Sequence, residues 1–106
     1  MIRWKDSVRF DDLHGAIVLA LIRADALYGA VSADCWITSA NDSTHMVGSK
    51  HYTGRAVDLR THHIADPAVI ATIATQLRTA LGPQFTVLYE SAGSPNQHLH
   101  LQFNGV

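Results

Sequence analysis

Cysteine is almost missing from this chain: Cys35 stands alone. One thiol excludes an intramolecular disulfide and any Cys-rich zinc site, and it reads as a small buried core residue. Charge of either sign is scarce, and the formal net charge is -1. The missing basic excess argues against a nucleic-acid binder and against a protein held on anionic membranes. Long apolar runs are also missing. The stretch from Ala16 to Ile22 is far below the ~20 residues needed to span a bilayer. The start MIRWKDSVRFDD has no apolar h-region, so no secretory signal is expected. There is no repeat, linker or low-complexity segment, and 106 residues make one domain.

What the chain does have is histidine. Of seven, six fall in two clusters, from His45 to His63 and at His98 and His100. The pattern around them predicts an α+β domain with a mainly antiparallel sheet packed against two helices. A first helix is expected from about Asp11 to Tyr28, capped by Asp11 or Asp12, with Leu13, Ile17, Leu21, Ala24 and Tyr28 as its apolar stripe. A strand follows over Cys35–Ser39, then a polar loop from Asn41 to Thr53. A second strand, Arg55–Arg60, alternates so that Ala56, Asp58 and Arg60 share one face. Asp66 and Pro67 open a second helix that Gly82-Pro83 stops, with Val69, Ile73, Leu77 and Leu81 facing the core. Strands over Phe85–Tyr89 and His98–Phe103 close the chain as an irregular hairpin.

The chemistry is expected on these strands. In HLH, His98 and His100 are two apart, so both imidazoles project to one face while Leu99 points into the core. Asp58 lies inside an apolar strand, where a carboxylate needs a cation or a set of donors. Loop amides would satisfy it, and so would a metal ion. Catalytic zinc sites use three protein ligands and leave a position for water. His51, Asp58 and one histidine of the HLH pair supply that number. Glu90, at the end of the strand before HLH, is the best placed base for a metal-bound water. The other HLH histidine would stabilise an oxyanion or orient that base.

The stretch SKHYTGRAVDLR matches the pattern S-x-H-x-x-G-x-A-x-D. With YESAGSPNQHLHLQF downstream, it resembles the zinc D-Ala-D-Ala metallopeptidase family and its relative, the hedgehog amino-terminal signalling domain. These stretches cover roughly the second half of the domain's core. The resemblance implies a hedgehog/DD-peptidase-like fold and one zinc ion held by His51, Asp58 and His100. It implies Glu90 as catalytic base, His98 as a group acting on the transition state, Ser49 as a substrate contact, and His45 as a histidine near the metal. The activity implied is hydrolysis of a peptide bond in peptidoglycan stem peptides or cross-links, as a carboxypeptidase or endopeptidase. Small size and no export signal suit a monomeric, phage-type endolysin, made in the cytoplasm and acting on the wall after release. The chain departs from the family at ITSANDSTH, which lacks the upstream arginine that helps peptidases hold substrate. The spacing from Glu90 to His98 is also longer than in close relatives. Two other readings stand beside the enzyme. One is a hedgehog-like metal-containing binding module. The other is a structural zinc domain with His98 or His45 as fourth ligand. His62 and His63 match nothing and read as exposed loop residues.

Overall fold

A computed structural model describes residues 1–41 and 54–105. The fold is α+β: a five-stranded mixed sheet with two helices. The elements are β1 (Ile2–Trp4), α1 (Gly15–Gly29), β2 (Cys35–Ser39), β3 (Ala56–Arg60), α2 (Pro67–Leu81), β4 (Phe85–Glu90) and β5 (His98–Phe103). Their order across the sheet is β1-β2-β3-β5-β4. Every pairing is antiparallel except β1 with β2, which is parallel.

The second helix follows its local signals. The Asp66 carboxylate accepts from the Ala68 amide at 2.9 Å, Pro67 opens the first turn, and Gly82 ends it at φ 84. Its buried face is Ile70, Ile73, Ala74 and Leu77, with Val69 and Leu81 on the flank, so the core stripe is rotated from the expected one. The first helix starts later than its aspartates suggest. His14 is the cap, and its Nδ1 accepts from the Ala16 amide at 3.0 Å. Asp11 and Asp12 lie outside the helix for a tertiary reason. The His14 amide donates to the Gly54 carbonyl at 2.9 Å, and the Asp12 amide donates to the Asn41 side chain at 3.2 Å. These partners hold residues 11–13 outside the helix, against the start of β3.

One face of the sheet supplies the core. Cys35 and Ile37 from β2, Val57 and Leu59 from β3, and Leu99, Leu101 and Phe103 from β5 are buried with Ile17, Ala24 and Tyr28 of α1. Side chains alternate along a strand, so Asp58, Arg60, His98, His100, Gln102 and Glu90 belong to the other face. The Tyr28 hydroxyl donates to the Arg60 carbonyl at 2.8 Å, tying α1 to the end of β3.

Burial at the sheet–helix contact sets an alkaline limit on stability. Burial, assisted by the charge of Asp25, pushes the Cys35 thiol up to about 12. Burial, then the neighbouring Cys35, also raises the Tyr28 phenol. An unfolded thiol releases its proton near pH ~8.5 and an unfolded phenol near ~10. Above those values the unfolded chain holds fewer protons than the folded one, so stability falls as pH rises, by about 1.4 kcal/mol per pH unit for each group. Urea midpoints should therefore drop from pH 8.5 upward, and more steeply above pH 10. A Cys35→Ala variant should lose the first of these slopes. An equally steep fall in that variant between pH 8.5 and 10 would assign the effect elsewhere.

Candidate metal centre

The register of three strands assembles the site. On β3 and β5, Asp58 lies opposite His100 and Arg60 opposite His98. On β4 and β5, Glu90 lies opposite His98. The hairpin thus delivers Glu90 beside the histidines, although the loop between the strands is long. On its other side β3 meets a bulge. Ile37 pairs with Leu59 but Ser39 pairs with Asp58, one residue out of step. A bulge of this kind bends the strand and re-aims side chains next to it.

Four side chains converge. His100 Nδ1 lies 2.9 Å from Asp58 Oδ1. His98 Nε2 is 3.4 Å from Glu90 Oε1 and 3.8 Å from Asp58 Oδ1, and His100 Nδ1 is 3.8 Å from Glu90 Oε1. Asp58 and His100 are largely buried, at 16% and 14% side-chain exposure, whereas Glu90 stands at the solvent edge at 42%. The inner pair therefore has the desolvated setting of ligands, and the outer carboxylate is the one within reach of an incoming molecule.

The hydrogen bonds fix how the rings are held. His98 Nδ1 lies 2.7 Å from the Asn96 carbonyl, which only accepts, so this nitrogen carries the proton and Nε2 faces Glu90. His100 lies between two acceptors: Asp58 Oδ1 at Nδ1 and Gln102 Oε1 at Nε2, 3.0 Å away. The Gln102 amide cannot simply turn round, because its NH₂ donates to Asn104 Oδ1 at 2.7 Å. Asn104 in turn donates to the Thr86 hydroxyl at 2.7 Å. With acceptors on both sides, the free imidazole is pressed to hold two protons. Burial opposes that charge, but the bonds to Asp58 and Gln102 and the charges of Asp58 and Glu90 outweigh it, so His100 titrates above its ordinary value.

The same arrangement fits a divalent ion. A ligating imidazole donates its far N–H to a carbonyl or carboxylate and offers its other nitrogen to the metal. Gln102 is that acceptor. Two ligand atoms ~2.1 Å from a common ion at a tetrahedral angle stand ~3.4 Å apart. The Asp58–His100 separation of 2.9 Å is that of a hydrogen bond, ~0.5 Å shorter than the spacing of two ligands on one ion. Among the described residues, no group of three or more His, Cys, Asp and Glu side chains has the spacing of a complete metal site. His51, the third ligand implied by the resemblance, lies outside the described residues, as do Ser49 and His45.

Of the residues expected from sequence, Asp58, Glu90, His98 and His100 are brought together. His62 and His63 are exposed, yet each is tied down. His62 Nε2 donates to the Pro95 carbonyl at 2.9 Å and His63 Nε2 to the Asp34 carbonyl at 2.7 Å. Gln102 is the residue that sequence reasoning missed. Its signal was the period of two, which continues the HLH face to the next odd-out position in HLHLQ. Replacing Gln102 by Leu removes the acceptor at Nε2 and frees the ring to turn or change tautomer. Zinc affinity should fall ~10–100-fold, measured by competition with a chromophoric chelator, while Gln102→Glu should retain most of it. Unchanged affinity in the Leu variant would remove Gln102 from the site.

Comparisons with protein-family models, with curated proteins and with solved structures gave no match to this chain. Among the described residues, no helix is long and apolar enough to cross a membrane.

Proposed function

We propose that the chain is a zinc-dependent hydrolase that cleaves a peptide bond in bacterial peptidoglycan stem peptides or cross-links, in the manner of an endolysin, on a hedgehog/DD-peptidase-like fold. The observation that carries this reading is the Asp58–His100 pair, 2.9 Å apart and mostly buried, with Glu90 at its solvent edge. Asp58 and His100 would hold the ion together with His51, the ligand added by the resemblance. When bound, zinc polarises a carbonyl and makes its water acidic, with a pKa near ~7.

The protein's own groups then divide the remaining work. Glu90 takes a proton from the attacking water and returns it to the leaving amine; at 42% exposure it is the acid of the cluster most open to an incoming molecule. His98, anchored through Nδ1 to the Asn96 carbonyl, directs Nε2 toward the same space. From there it steadies charge on the carbonyl oxygen or holds the Glu90 carboxylate in place. Gln102 keeps His100 in one tautomer.

The test is digestion of purified peptidoglycan fragments with and without chelator, with products identified by mass spectrometry. Cleavage that stops on chelation and returns with zinc supports the reading. Chelator-insensitive cleavage defeats the metal mechanism. Zinc binding with no cleavage leaves the metal-containing binding module as the better account.

A further inference from the structure

Beside the Asp58–His98 corner the same sheet face is hollowed into a cavity of about 320 Å³, whose walls include Lys5, Thr38, Arg60, His62 and Gln97. Two of these residues are cations. Among the described residues, neither Lys5 nor Arg60 has a carboxylate within ion-pair distance, whereas Arg3 and Arg9 each have one. The Arg60 guanidinium lies over the Trp36 ring, 4.8 Å from its centroid. That contact restrains the guanidinium beside the ring. Its N–H edges remain, in the fork geometry that suits a carboxylate.

From these features we infer that Arg60 and Lys5 form a subsite for a carboxylate of the bound peptide, close to the bond that is cut. The inference rests on the peptidase reading for the nature of the ligand. Arg60 pairs with His98, and Asp58 pairs with His100. The two rows are two residues apart along the strand, ~6.7 Å, or about two residues of extended substrate. The recognised carboxylate therefore belongs to a residue within about two of the scissile bond. Asp58 lies in the same cavity; an ion held by Asp58 and His100 would offset its charge and leave the cationic pair dominant. A stem peptide offers two such groups: its C-terminal carboxylate and the free α-carboxylate of the γ-linked glutamate. A single cationic subsite serves either.

Binding, rather than turnover, separates this inference from the peptidase reading. The full chain carrying Glu90→Gln, in zinc-containing buffer, is titrated calorimetrically with the peptide L-Ala-γ-D-Glu-L-Lys-D-Ala-D-Ala. Parallel titrations use the C-terminal amide, the glutamate α-amide and the double amide. One of the single amidations should weaken binding about tenfold or more, and which one does so identifies the carboxylate. Arg60→Gln should bind the acid and that amide alike. Lys5→Gln, at an exposed position that serves as a control for folding, should shrink the preference. Arg60→Lys should keep part of it, since charge remains but the fork is lost. Equal affinity for all four peptides, no saturable binding of any, or an unchanged preference in both Gln variants would overturn the subsite. If the acid preference holds but the unmodified chain with zinc yields no cleaved products, the peptidase reading fails and the subsite stands. If products form at equal rates from acids and amides, the reverse follows.

Discussion

Gly54→Ala should destabilise the protein by about 2–5 kcal/mol, far more than an ordinary glycine-to-alanine change. Two causes act together. Gly54 has φ +69, a conformation that costs an L-residue energy. A Cβ built there also falls 1.7 Å from the Asp12 carbonyl oxygen and 2.6 Å from its carbonyl carbon. Both are backbone atoms, and they cannot swing aside as a side chain would. The Gly54 carbonyl accepts from the His14 amide across the same contact, so relief would move the start of α1, the start of β3, or both. Gly93 supplies the control. It has φ +80 and nothing near its hypothetical Cβ, so Gly93→Ala should cost only the conformational part, about 1 kcal/mol. Urea denaturation of both variants measures the difference. Equal losses would mean that the close approach to Asp12 carries no energy.

On the proposed peptidase function, Glu90→Gln should lower hydrolysis ~10²–10⁴-fold and leave zinc stoichiometry unchanged. Glutamine keeps the shape of glutamate and one acceptor oxygen, but its other oxygen becomes an NH₂ donor and it cannot accept the proton from the attacking water. Its nearest partner in the cluster is His98 Nε2 at 3.4 Å, so little structure depends on its charge. The informative measurement is the pair of readouts: single-turnover rate on a peptidoglycan fragment, and zinc bound per chain. Loss of rate together with loss of metal would make Glu90 a ligand. Retention of both would remove it from the reaction.

The parts of the fold that were legible are those decided by neighbours in sequence. Asp66-Pro67 and Gly82-Pro83 bracket α2 because cap and stop are local events. The alternations in AVDLR and HLHLQF placed Asp58, His98 and His100 away from the core because strand geometry has a fixed period. What escaped was decided at a distance. Asp11 and Asp12 looked like helix caps, but Asn41 and Gly54 draw that segment aside. The strand β1 has only Ile2–Trp4 and one neighbour, β2; so short a run has no pattern of its own. Gln102 gains its role from an imidazole two residues back and an amide two residues on. Lys5 and Arg60 line one cavity only because the tertiary fold brings distant segments of the chain together there.

Strand β5 carries two messages on alternate letters. Leu99, Leu101 and Phe103 serve cohesion, while His98, His100 and Gln102 form the polar row on the opposite face. Inserting or deleting one residue within it would exchange the two sets, burying imidazoles and baring leucines. Point changes confined to one set leave the other intact. New reactivity could therefore be written onto this strand, through its histidine and glutamine positions, without disturbing what makes the domain fold.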